Sequence, residues 1–141
     1  MINQIDGRLA DLDERLFMPR ELSWLSFNAR VLQEAANESV PVIQRLRYLG
    51  IFSSNLDEFF RVRVAEIRRL ITVSTGGKRQ RAKELLETIQ QQVAHLQREF
   101  DKTQSKVMVE LKKRHIYIID ETELSRAQLA FVEDYFTKRV L

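Results

Sequence analysis

The sequence predicts a mainly all-α protein: a helical bundle with one long helix, followed by the first strand and helix of a truncated α/β domain. Three observations predict it. Four glycines and two prolines in 141 residues leave few places to punctuate strands. Good helix formers, Leu, Arg, Glu, Gln and Ala, are plentiful. Apolar residues recur at steps of three and four along most of the chain. With 44% hydrophobic and 30% charged residues, this length suits one domain with its own core plus a fragment of a second.

Residues 1–18 alternate charge and aliphatics without a sustained helical period, and Pro19 ends them; they read as a loosely docked arm. From Arg20, the recurrence of Leu22, Leu25, Leu32 and Ala35, widened by Trp24, Phe27 and Val31, predicts a helix buried over much of its girth and ending near Asn37. Pro41 suits the first turn of a short second helix with Val42, Ile43, Leu46 and Leu49 inward, which Gly50 is placed to end in a left-handed conformation. A third helix is predicted from Asn55 to Val73, carrying Leu56, Phe60, Val64, Ile67 and Ile71, with Ser74, Thr75, Gly76 and Gly77 closing it.

The longest signal follows. Leu86, Ile89, Val93, Leu96, Phe100, Thr103 and Val107 keep a three-four rhythm with no breaker between Lys78 and Lys113, a helix on the order of 50 Å long. After Lys112, Lys113 and Arg114 the run "IYIID" reads as a strand, so a domain boundary is placed between residues 1–115 and residues 116–141. Ser125 and Gln128 fit a capping box, with Leu124 and Leu129 as its hydrophobic staple, starting a last helix through Lys138. No glycine or proline stops that helix, so the second domain is expected to be cut short.

Composition excludes several functions. The absence of cysteine rules out a disulfide framework and a thiolate metal site. No apolar run approaches the roughly 18 to 20 residues of a membrane span, and the first residues lack the order of a signal peptide. The net charge of +3 arises from 23 basic residues mixed among 20 acidic ones, which decides little about a polyanion partner. There is no glycine-rich phosphate loop, HExxH or GxSxG, so no catalytic residue and no metal ligand is nominated. His95 lies beside the Val93 and Leu96 seam and His115 at the basic end of the long helix; both read as structural or solvated. Arg61, Arg63, Arg68, Arg69, Lys78, Arg79 and Arg81 read as a solvated face paired with Glu66 and Glu84. Without an aromatic platform or a recognition helix, no nucleic acid is expected.

The stretch "GIFSSNLDEFFRVR" carries more polar chemistry than a connector requires. Ser54 with Asp57, or Asn55 with Glu58, each fits a capping box. If Ser54 is the cap, the Asn55 amide is free to meet a ligand. A phosphate is opposed by Asp57 and Glu58, whereas a neutral heteroaromatic edge such as adenine's suits an amide's donor and acceptor.

"RELSWLSFNARVLQEA" (Arg20 to Ala35), then Pro41 and "RLRYLGIFSSNLDEFFRVRVAEI" (Arg45 to Ile67), resembles the N-terminal domain of the long, phosphohistidine-forming bacterial polyphosphate kinases. The likeness is dense over residues 20–71 and continues, more weakly, into the segment opening the second domain. It implies a helical bundle in an enzyme that reversibly transfers the terminal phosphate of ATP to polyphosphate, with magnesium, through a histidine in domains beyond this chain. Neither His95 nor His115 matches that histidine. The resemblance carries over one site residue, Asn55, as an adenine contact. It also implies ATP, ADP and polyphosphate as ligands of the full enzyme, Mg2+ not bound by this fragment, docking on the remaining domains, and a homo-oligomer. The expected location is the cytoplasm, with peripheral attachment at the inner membrane as a variant. The alternative reading is a stand-alone helical interaction module whose long seam binds a partner helix.

Overall fold

The structure, a computed structural model, describes residues 19–140, so the expected arm of residues 1–18 lies outside the described residues. Helix α1 spans Arg20–Ala36. Pro19 starts it, its carbonyl accepting from the Leu22 and Ser23 amides at 3.0 Å each. Asn37 stops it: the backbone there is extended, and Asn37 Oδ1 accepts from the Ser39 amide at 3.0 Å and hydroxyl at 2.8 Å. This side-chain turn reverses the chain.

Helix α2, Val42–Phe59, then packs antiparallel to α1. The pairing itself shows the direction, since partners advance on one helix as they retreat on the other. Arg45 Nε donates to the Ala35 carbonyl at 2.8 Å, Asn28 meets Phe52, and Trp24 stacks on Phe59 with ring centroids 4.8 Å apart.

Two expectations fail here for related reasons. Gly50 does not end a helix, because its φ is not positive and α2 runs through it. A glycine costs only about 1 kcal/mol in a helix interior, and the burial of Val42, Leu49, Phe52 and Phe59 on one side of α2 outweighs that. The inward residue two turns after Phe52 is Phe59, 1% exposed, whereas Phe60, expected in the stripe, is 37% exposed. The next buried position is Val64. A step of five in a regular helix would swing Val64 about 140° off the buried face. The chain absorbs the extra residue in a π-helical turn, Phe60–Val64, in which the Ala65 amide reaches back to the Phe60 carbonyl. Helix α3, Ala65–Val73, then continues with Ile67 buried. The run from Val42 to Val73 is thus continuous, not two helices separated at Gly50.

Gly76, at φ +58°, starts helix α4, Gly76–Lys113, two residues ahead of the expected Lys78. Ala82, Ile89, Leu96 and Thr103 recur at intervals of seven and are all buried. Leu86, Val93, Phe100 and Val107 follow each by four, the a/d spacing of a coiled-coil seam. Phe100 stacks on Phe52 at 5.4 Å, which ties α4 to α2.

The chain divides into two compact units at Val107 and Met108, and α4 runs through the division. In the second unit α4 closes with a Schellman motif: the Ile116 amide donates to the Leu111 carbonyl and the His115 amide to the Lys112 carbonyl, each at 3.0 Å. His115 holds the left-handed position, φ 60°, that a glycine would ordinarily take. "IYIID" is not a strand; among the described residues there is none. A lone extended segment has no neighbour to complete its hydrogen bonds, so β-branched composition alone cannot make it one. Helix α5, Arg126–Arg139, begins with the predicted box: Ser125 Oγ accepts from the Gln128 amide at 3.3 Å while Gln128 Oε1 accepts from the Ser125 amide at 2.8 Å. The helix buries no residue, and Leu129 of the expected staple is 46% exposed.

Candidate functional site

Asn55 lies inside α2, one turn before its last residue, and is half-buried. Neither capping box forms, since Ser54, Asn55, Asp57 and Glu58 all lie within the helix, where no first-turn amides remain unpaired. Its amide has another use. Asn55 Nδ2 donates to Asn28 Oδ1 at 3.1 Å, and Asn28 Nδ2 donates to the Phe52 carbonyl at 3.2 Å. Among the described residues nothing donates to Asn55 Oδ1.

Helical spacing places this pair on one flank of the α1–α2 hairpin. Phe27 lies one turn beyond Trp24 on α1; Asn55, then Ile51, lie one and two turns before Phe59 on α2. The Trp24–Phe59 stack joins the two rows. Phe27 and Ile51, 58% and 46% exposed, are thus apolar side chains on the same flank as a fixed amide. Phe27 was expected in the buried stripe and is outside it. The sequence reading also missed Asn28. It occupies the place of an apolar residue in the series Leu25, Asn28, Leu32, Ala35, and a polar residue inside such a stripe is a signal of a satisfied internal network.

The other residues singled out from the sequence do not join this site. Arg63 pairs with Glu66 at 3.5 Å as expected, but Arg61 pairs with Glu58 at 3.8 Å and Glu84 accepts from Gln80 at 2.9 Å. Such exposed pairs contribute about 0 to 1 kcal/mol. Arg20, Arg63 and Arg69 face a cavity of about 430 Å³ shared with Glu21 and Glu66 over an apolar floor. His95 is exposed and borders a cavity of about 400 Å³ with Leu25, Ala29, Gln92 and Leu96. Among the described residues no group of three or more histidine or acidic side chains could hold a metal ion.

Residues 17–119 match the model of the polyphosphate kinase N-terminal domain. The chain belongs to that family. Polyphosphate kinase of Vibrio cholerae is 45% identical over 129 residues, 91% of this chain and 18% of that protein. Those of Salmonella typhimurium and Escherichia coli are 44% and 45% identical over 124 residues, 87% of this chain and again 18% of each relative. The chain therefore spans less than a fifth of the length of the polyphosphate kinases it matches. No solved structure matches it. No helix among the described residues is long and apolar enough to cross a membrane.

Proposed function

We propose that this chain is the N-terminal part of an ATP:polyphosphate phosphotransferase and that it supplies an adenine-contacting wall of the ATP site through Asn55. The observation that carries the reading is the Asn55 amide: no helix cap uses it, and it is held on a rigid helix beside exposed apolar side chains. Neutral amide and apolar flank suit a base, while Asp57 and Glu58 in the next turn oppose a phosphate, so the phosphoryl chemistry takes place on other domains of the full enzyme. Residues 1–115 form the N-terminal domain in this proposal and residues 116–141 open the next. The exposed apolar residues of α5, Phe131, Tyr135 and Phe136, dock there. In this proposal magnesium belongs, with polyphosphate and the phosphorylated histidine, to the remaining domains. The whole enzyme is a cytoplasmic homo-oligomer, peripheral at the inner membrane if attached at all, and this fragment alone neither hydrolyses ATP nor makes polyphosphate.

The test is Asn55→Ala in the full-length enzyme. Its kcat/KM for ATP should fall roughly 5- to 150-fold, the equivalent of about 1 to 3 kcal/mol for an unpaired buried partner, with a smaller change in kcat at saturating ATP. An unchanged kcat/KM for ATP defeats the adenine contact.

A further inference from the structure

We infer that Asn28 is a positioning residue that fixes which way the Asn55 amide faces, and that through it the site selects a 6-amino purine over a 6-oxo purine. The inference rests on the proposed adenine contact of Asn55.

One atom of this relay has no choice of role. The Phe52 carbonyl can only accept, so Asn28 must turn Nδ2 toward it, as it does at 3.2 Å. That places Asn28 Oδ1 on the other side, and an oxygen can only accept in turn. Asn55 must therefore present Nδ2 to it, as it does at 3.1 Å. Asn28 is 0% exposed, so no water takes over if its amide is reversed. Reversal would set oxygen against the Phe52 carbonyl and nitrogen against nitrogen at Asn55. One backbone carbonyl thus determines two amides in series, and the oxygen of Asn55 is left pointing away from Asn28. An acceptor in that place complements the exocyclic amino group of adenine. It opposes the 6-oxo group of hypoxanthine or guanine, itself an acceptor. A free asparagine would lack this preference, because it could rotate to offer its NH2 group instead.

The experiment compares kcat/KM for ATP with kcat/KM for inosine triphosphate in the full-length enzyme. Variants are Asn28→Leu, Asn55→Ala, the double variant, and Leu25→Ala as a packing control whose side chain is buried, 1% exposed, and outside the amide relay. Asn28→Leu should narrow the ATP preference roughly fivefold or more, partly by raising use of inosine triphosphate. It should narrow the preference no further in the Asn55→Ala background, since its effect passes through that amide. Leu25→Ala should lower the melting temperature and leave the ratio alone. Should leucine not fold at position 28, Asn28→Ala carries the same comparison without added bulk. If the Asn28 variants behave like Leu25→Ala while Asn55→Ala shifts the ratio, Asn28 only packs and the positioning role is overturned. If Asn55→Ala leaves the ratio unchanged, the adenine contact falls and the positioning role with it.

Discussion

Residues 42–64 and residues 116–140 are both rich in aromatic and β-branched side chains, and the protein treats them oppositely. In the first stretch Phe52, Phe59 and Val64 are at most 2% exposed, and Phe52 and Phe59 stack on Phe100 and Trp24. In the second, Tyr117, Phe131, Tyr135 and Phe136 are all at least half exposed, and the only ring contact among the described residues is Phe131 with Tyr135 inside one helix. Hydrophobicity is therefore not what separates them. The first stretch has apolar neighbours to interlock with, and the second is held by hydrogen bonds along its own backbone.

Removing a ring from each stretch should expose that difference most strongly. Phe52→Ala is expected to destabilise by about 3 to 5 kcal/mol, transfer plus cavity. Phe131→Ala, 69% exposed, should stay within about 0.5 kcal/mol. Urea unfolding of each variant measures both, and similar losses would erase the contrast.

A smaller pair of changes sharpens the comparison at the backbone. Gly50 is helical with open space where a Cβ would stand, so Gly50→Ala should stabilise by about 0.5 to 1 kcal/mol. His115 is a non-glycine in the left-handed region, so His115→Gly should also stabilise, by about 1 kcal/mol. Shifts in denaturation midpoint test both, and a loss of stability in Gly50→Ala would mean that the helix does break there.

Acid titration should give the smallest effect, and one local to each unit. The Lys102 ammonium, by hydrogen bond and charge, lowers Glu99 below its ordinary 4.5, and the Thr122 hydroxyl and amide lower Asp120 below 3.8. A depressed carboxyl contributes stability that is intact above its ordinary value and is lost as pH falls through the lower folded one. Lys102→Met should return the carbon-13 titration midpoint of Glu99 toward its ordinary value without moving that of Asp120. A Glu99 midpoint indifferent to that substitution would refute the pairing.

Those two glycine-like positions also show what was legible in the sequence. Spacing revealed α1, the length of α4 and the box at Ser125, because each depends on residues within a few positions of one another. Gly50 misled, because its local tendency to end a helix is worth less than the burial on either side of it, and that burial depends on α1 and α4. His115 was read as a charge at a helix end, whereas its place is set by backbone bonds to Leu111 and Lys112. "IYIID" has strand composition but no partner strand among the described residues. At the site, the sequence singled out Asn55, with its amide open to a cap or to a ligand, but neither capping box forms. The partner that holds it lies 27 residues away on another helix, beyond the reach of any local pattern.

The π turn at Phe60–Val64 is best understood as a change of phase in a periodic signal. On its N-terminal side the buried row counts back from Phe59, and on its C-terminal side it counts forward from Val64, so no single helical wheel describes both. Two ion pairs tie the turn to its flanks on the wet side, Glu58 reaching in to Arg61 and Arg63 reaching out to Glu66, each spanning three residues. Between them the extra residue is spent once. Each half of the rod then keeps its own beat: the first holds Asn55 opposite Asn28, and the second returns Ile67 to the interior.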